Sequence, residues 1–497
     1  MNLMMPRFQT DSYFCTWVAQ SQLTEYYPGA MRDLLTEQTV FGENGLIRLY
    51  PEIRQHLYFV FDDGWDVPCG LKNNDKGDFG SLIVNEEKFP SFTGTPRERL
   101  KKLSDKVKEC GWRGMGIWVC ASAAGEYGGH LLSQEGQEAY WRTRLQWSRY
   151  AGIRYWKVDW GHHAADTGFR KKLSLWKSEE YPELIMEHAG VCGPLNGIEP
   201  LDPSIEQSGR FADWQNHPVA WGKLTAFSDV MRTYDVTGQL SVPTTLDRVG
   251  FLLRCGEITG SASRINGEDE PYICAALGLE TGIMRNAFPR KDGKAGSGRV
   301  REVIRAVRWM TSFAPAMKLN ETRSEFGSYV LTDGYNFYGK KTWLGSYGDY
   351  VIPQSAPAVI ARGCPLPQIG YPDGEKAYVV ASANASGASS AAVLPRFSGE
   401  KGKYTPKVNL TLRQKMSFPY TGIFGDTGDV TIRYDGAVQG RRVYLQDMAS
   451  DHAFDVTEKC GIGPDWVTIP GELIARIGTE TNGENDLSAP GVVAALI

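Results

Sequence analysis

Short runs of apolar, β-branched and aromatic residues alternate with stretches of helical periodicity through the first two-thirds of the chain. Residues 13–17 and 57–61 read as the first two strands. Pro96 opens a helix rich in Leu and Lys that closes at Gly111, and 114–119 is a third strand. A helix at 134–150 is stopped by Gly152 before a fourth strand at 155–159. A helix at 169–176 leads to a fifth strand at 184–187, and one at 219–227 to a sixth at 229–234. A helix at 245–255 precedes a seventh strand near 258–265 and an eighth near 277–284. Residues 299–313 form a last helix. Regular β-then-α alternation predicts a parallel sheet with crossover helices. Eight such units predict closure into a (β/α)₈ TIM barrel.

After about Glu325 the texture changes to short β-rich segments separated by Gly, Pro, Asn and Asp, as at 377–381, 430–434 and 442–445. This pattern predicts an antiparallel β-domain of sandwich or barrel type. The expected division is a catalytic barrel at 1–325 and a C-terminal β-sandwich-like domain at 326–497. The polar tail at 479–490 is expected to be mobile.

Composition narrows the function classes. A net charge of −4 over 497 residues gives no electrostatic case for nucleic acid. No apolar run reaches the roughly 18 residues that span a bilayer, so no membrane partner is expected. Residues 1–8 lack the apolar core of a signal peptide. The expectation is a cytoplasmic chain, or a secreted or periplasmic one whose native start has been trimmed. The nine cysteines are scattered and show no CxxC, which fits neither a disulfide scaffold nor a zinc ribbon. They read as buried free thiols. Nothing in the sequence sets the number of subunits.

Three apolar runs end abruptly in acids. Leu57-Tyr-Phe-Val-Phe-Asp-Asp-Gly-Trp65, Tyr155-Trp-Lys-Val-Asp-Trp160 and Met231-Arg-Thr-Tyr-Asp235 each place a carboxylate where a strand stops. Acids gathered at the C-terminal ends of successive strands are how a barrel of this kind builds an active site. Two well-placed carboxylates are the equipment for breaking glycosidic bonds. Lys157 and Asp159 lie two apart and so share a strand face. A neighbouring ammonium keeps a carboxylate ionised, as a nucleophile requires. The plainer reading of the two is a buried ion pair. Asp62 and Asp63 are suited to accepting hydrogen bonds from sugar hydroxyls, or else form an ordinary Asp-Asp-Gly turn. Asp235 is the candidate general acid/base, with a loop or helix-capping Asp as the alternative. Arg232 is placed to bind a substrate hydroxyl or to orient that acid. Glu187 ends the fifth strand as a candidate polar ligand to the sugar. Trp118 in the third strand is a further candidate substrate-binding residue.

No metal or cofactor is expected. The adjacent pair His162 and His163 has neither HxH nor HxxxH spacing. The Gly-rich run at 293–298 has no strand leading into it, and no serine nucleophile elbow occurs. Two further classes stand beside a hydrolase: a non-catalytic carbohydrate-binding barrel, and a lyase or isomerase using Lys157 as a Schiff-base former.

The ordered set resembles the α-galactosidase clan, the retaining glycoside hydrolases of families 27 and 36. Asp62-Asp63-Gly64-Trp65 is similar to the clan's motif after the second strand, and Lys157-Val158-Asp159 to its nucleophile motif. Arg232-Thr-Tyr-Asp235 is similar to its acid/base motif, Glu187 falls at its ligand position after the fifth strand, and Trp17 looks like the Trp ending its first strand. The resemblance covers roughly residues 6–320. Gly161 stands where family 27 usually has Cys, and no second Asp follows Asp235 directly. The resemblance implies a retaining exo-glycosidase, with Asp159 as nucleophile and Asp235 as acid/base. Trp17, Asp62, Asp63, Trp118, Lys157, Glu187 and Arg232 would bind substrate. It implies no cofactor, and an oligosaccharide or polysaccharide as the partner. The first expectation for the sugar is a terminal α-D-galactoside, with β-L-arabinopyranoside, α-N-acetylgalactosaminide and isomaltosyl linkages as alternatives.

Overall fold

The computed structural model describes residues 1–66, 81–122, 133–159, 161, 163, 166–189, 224–233, 241–284, 299–338, 349–484 and 486–497. Eight short strands form one sheet: β1 (Tyr13–Cys15), β2 (Tyr58–Phe61), β3 (Gly114–Val119), β4 (Tyr155–Val158), β5 (Ile185–Ala189), β6 (Val230–Arg232), β7 (Arg264–Asn266) and β8 (Gly282–Ile283). Their order is β7-β6-β5-β4-β3-β2-β1-β8, and every neighbouring pair is parallel. A parallel bridge between Asn266 and Glu280 joins the two edges, so the ring closes as a TIM barrel.

The strands are apolar on both faces because both faces are covered. Phe14, Phe59, Phe61, Ile117, Trp156 and Val158 belong to the cluster shared with the surrounding helices. Tyr13, Cys15, Tyr58, Val60 and Tyr155, the alternate positions, pack on one another in the lumen. Two lumen positions have no room for a side chain. A Cβ on Gly116 would lie 2.8 Å from Val60 and 3.0 Å from Tyr155, and one on Gly282 would lie 2.7 Å from the Tyr13 ring.

The helices start and stop on local chemistry. Pro96–Glu109 begins with Thr95, whose N–H and hydroxyl both donate to Glu98 Oε2, at 2.9 and 2.7 Å. Gln134–Ala151 is capped by the Ser133 hydroxyl and ends at Gly152 in the left-handed conformation, φ 69°. Thr167–Glu180 is capped by Asp166, which accepts from the Phe169 N–H at 2.9 Å.

One expectation is corrected and two are narrowed. Trp17 opens the helix Trp17–Leu23 rather than ending β1. The chain turns at Thr16, whose hydroxyl donates to Gln20 one helical turn on and accepts the Asp62 N–H. The helix Ser241–Thr259 takes the first two residues of the expected seventh strand, where Ile258 is an exposed apolar residue and not a strand core, and β7 begins only at Arg264. The eighth strand lies within 277–284 as expected, but it is only the short β8, preceded by the end of a helix, Pro271–Leu277. All seven residues of that helix are buried, so it has no polar face to reveal a helical period. The helix expected at 219–227 lies largely outside the described residues, as does the run at 293–298.

From Ser324 onward two sheets, of eight and five strands, pack face to face. Val379, Ala391, Ile423 and Val492 from one meet Leu410, Ile432 and Val467 from the other. Most pairings are antiparallel. The pairs Val359–Arg362 with Tyr378–Ala383, Ser389–Leu394 with Tyr420–Phe424, and Asn409–Gln414 with Val430–Tyr434 are parallel. The other face of the larger sheet packs on barrel helices, where Trp309 and Phe313 meet Phe424 and Tyr420. Two buried guanidiniums bind the halves together. Arg305, on the helix Val300–Ser312, contacts both carboxylate oxygens of Asp447, at 2.7 and 2.9 Å. Arg362 donates to the carbonyls of Leu277, Gly278, Met317 and Lys318 at 2.9–3.2 Å. The seven described cysteines are free. No described helix is long and apolar enough to cross a membrane.

Removing one partner of a fully buried ion pair leaves an uncompensated charge. Asp447→Ala is therefore expected to destabilise the protein by about 3 kcal/mol or more, read as a lower urea midpoint. An unchanged midpoint would show that Arg305 is satisfied without Asp447.

Candidate active site

The lumen becomes charged at the C-terminal ends of the strands. Lys157 on β4, Arg232 on β6, and the carboxylates Asp62, Asp159, Glu187 and Glu268 are all buried there. Strand alternation explains their convergence: Tyr155, Lys157 and Asp159 follow one another on the inner face of β4 and its extension.

Asp159 is held from several sides. Trp118 Nε1 donates to its Oδ2 at 2.9 Å, Arg232 Nη2 approaches its Oδ1 at 3.0 Å, and Lys157 Nζ lies 3.9 Å from Oδ2. Its main chain is fixed as well, because the buried Arg170 donates to the Asp159 and Val158 carbonyls at 2.7 and 3.2 Å. Arg170 also contacts His188, whose other ring nitrogen meets Ser174 at 2.9 Å. Burial and Arg170 hold that imidazole well below its ordinary range, so it is neutral.

Asp62 Oδ2 accepts from Lys157 Nζ at 2.7 Å and from the Cys15 thiol at 2.9 Å, and its Oδ1 accepts the Asp63 N–H at 2.8 Å. Burial and the Arg232 charge pull Lys157 down, yet Asp62 and Asp159 carry it well above the ordinary ammonium value. The Cys15 thiol is pushed up by burial and by Asp62, so it stays neutral. Glu187 is enclosed. Tyr13 and Tyr155 hydroxyls donate to it at 3.0 and 2.7 Å, Asn266 Nδ2 at 2.7 Å, and Arg232 Nε approaches at 3.3 Å. Burial raises its pKa against the pull of Arg232 and these donors.

Asp63 sits at the edge of this network. Arg32 holds its Oδ2 through Nε at 2.7 Å and Nη2 at 2.6 Å. Its buried Oδ1 has no hydrogen-bond partner among the described residues. Burial pushes the carboxyl up to about 7, against Arg32 and with the help of Asp62.

Of the sequence-derived residues, the structure brings together Asp62, Asp63, Trp118, Lys157, Asp159, Glu187 and Arg232. Trp17 is partly buried against the lumen cluster of Tyr13, Cys15 and Tyr155. Asp235 lies outside the described residues, as do Tyr234 and His162. Among the described residues no group of His, Cys, Asp or Glu is arranged to hold a metal ion.

Sequence reasoning missed several members. Tyr13, Cys15 and Tyr155 were legible in principle, since they share the inner face with residues already chosen. Glu268 follows β7 as acids follow the other strands, but a misplaced seventh strand hid it. Arg32 comes from an irregular segment and carries no sequence signal.

No family model and no curated protein matches the chain. Some solved structures are similar to it at low identity. A provisional alpha-N-acetylgalactosaminidase of Bacillus halodurans has 10% identity and a TM-score of 0.42, covering 100% of this chain and 99% of that one. A GH27 β-L-arabinopyranosidase of Geobacillus stearothermophilus has 11% identity and a TM-score of 0.41, covering 99% and 96%. An alpha-amylase of Geobacillus thermoleovorans, complexed with acarbose, has 7% identity and a TM-score of 0.37, covering 99% of each chain. Likenesses this distant fix neither substrate nor mechanism.

The raised Asp63 has a consequence for stability. The folded chain keeps this proton at pH values where the unfolded chain has released it, so the contribution is present in acid and lost as pH rises towards 7. Asp63→Asn, which mimics the protonated form, should melt higher than wild type at about pH 8, by a margin that shrinks as the pH falls and is lost only at about pH 4. Equal melting offsets at both pH values would contradict a raised Asp63.

Proposed function

We propose that the chain is a retaining exo-glycosidase whose nucleophile is Asp159. The observation that carries this reading is the way Asp159 is held: a carboxylate at the mouth of a closed barrel, oriented by one indole N–H and faced by two buried cations. Cations at 3.0 and 3.9 Å favour its ionised form, the form that attacks. In the proposed cycle Asp159 attacks the anomeric carbon while Asp235 protonates the departing oxygen. A covalent glycosyl-enzyme forms, Asp235 then takes a proton from water, and the water releases the sugar with net retention.

The described contacts refine the roles of the other residues. Asp62 is occupied by Lys157, Cys15 and the Asp63 N–H, so it serves to fix Lys157. Asp63, with its unpartnered Oδ1, is the acceptor for a sugar hydroxyl. Glu187, enclosed by three donors and the Arg232 guanidinium, would buttress the site from below instead of meeting the sugar. Lys157 held as an ammonium is a poor Schiff-base former, which disfavours a lyase. The substrate we propose is a terminal α-D-galactoside of an oligo- or polysaccharide, with β-L-arabinopyranoside as the same ring lacking its hydroxymethyl group. The barrel at 1–325 would carry the chemistry, and the β-domain would brace it through Arg305 and Arg362.

The test is nitrophenol release from α-D-galactoside, β-L-arabinopyranoside, α-N-acetylgalactosaminide and α-D-glucoside. Wild type should turn over the galactoside, and Asp159→Asn should lose about a thousandfold or more in kcat. A folded Asp159→Asn that kept most of its activity would remove Asp159 from the role. Silence of the wild type across the panel, with glycans still bound, would favour a binding protein.

A further inference from the structure

Arg232 is buried and, among the described residues, faces three carboxylates that come from three different strand ends. The three contacts are unequal. Asp159 and Glu187 are ion-pair approaches, whereas Glu268 Oε1 accepts a directed hydrogen bond from Nη1 at 2.9 Å. A guanidinium is a rigid planar fork, so fixing one of its nitrogens sets where the others point. With Nη1 held by Glu268, Nη2 falls on Asp159 Oδ1.

Glu268 is itself held at a conformational cost. Its φ is +51°, a region that residues with a side chain rarely adopt. The neighbours clamp it there: its N–H donates to Asn266 Oδ1 at 2.8 Å, and its carbonyl accepts from the Thr281 hydroxyl at 2.8 Å. Asn266 does a second job, because its Nδ2 donates to Glu187 at 2.7 Å. One side chain therefore ties together the two acids that flank Arg232. Strained, over-determined backbone of this kind gathers where a side chain must be delivered to one place.

We infer that Glu268 is a positioning residue, which aims Arg232 at the carboxylate of Asp159. The inference rests on Asp159 being the nucleophile, and Glu268 acts through Arg232 without meeting the sugar.

The test compares Glu268→Ala with Glu268→Gln by kinetics and by crystal structure. Glutamine keeps an oxygen that can accept from Nη1, and alanine keeps nothing. Glu268→Ala should lose about a hundredfold in kcat with KM little changed, the effect of a misplaced group near the chemistry. Glu268→Gln should recover most of that loss, because a neutral acceptor still orients the fork. In the alanine crystal structure the Arg232 guanidinium should leave Asp159. If alanine destabilises the fold, Glu268→Gly removes the same carboxylate and accepts the positive φ without strain. An Arg232 that stays on Asp159 in the alanine or glycine variant would overturn the inference, as would a glutamine variant no better than alanine. Silence of the wild type towards every aryl glycoside would sink the hydrolase reading alone, since the crystallographic comparison still decides what aims Arg232.

Discussion

The structure turns on burying two cations among four carboxylates at one end of a closed lumen. Lys157 and Arg232 against Asp62, Asp159, Glu187 and Glu268 is an arrangement that water would screen at the surface and that burial makes consequential. Each member needs a partner, because an isolated buried charge costs far more than a paired one returns. The pairing is therefore unequal by design of position. Asp62 is assigned to Lys157, Glu268 to Arg232, and Glu187 to two tyrosines and an asparagine. Asp159 lies where the residual pull of both cations falls.

The rest of the fold serves to make that end rigid. Inner positions of β1, β2 and β4 fill the lumen below the charges with Tyr13, Tyr58, Val60 and Tyr155, and leave no room for side chains at Gly116 and Gly282. Tyr13 and Tyr155 present hydroxyls upward to Glu187, and burial keeps both neutral as donors. Outside the barrel, Arg170 reaches in from the helix Thr167–Glu180 to fix the Asp159 main chain. The β-domain extends this rigidity through Arg305–Asp447 and the carbonyls gathered by Arg362.

How much of this was legible in the sequence follows from how each part is encoded. Strands buried on both faces must be apolar throughout, so an abrupt acid at 62 or 159 stands out and marks a strand end. The strong helices announced themselves through starts such as Pro96 and stops such as Gly152. β7 and β8 did not, being three and two residues long, and the helix Pro271–Leu277 has no polar face to give it a period. That blind stretch contains Asn266 and Glu268, so the residues that orient Arg232 were the ones missed. Arg32 was invisible for another reason: only the course of an irregular loop brings it to Asp63. The sharing of Arg232 by acids from β4, β5 and the end of β7 is a tertiary fact with no local signature.

The central claim is that Asp159 becomes covalently bonded to the sugar. A fluorinated galactosyl fluoride that is turned over slowly would accumulate the glycosyl-enzyme, and peptide mass mapping would locate it. The account predicts a single label on the peptide carrying Asp159, absent from Asp159→Asn. A label on another carboxylate, such as Asp63 or Glu187, with Asp159 unmodified, would contradict it.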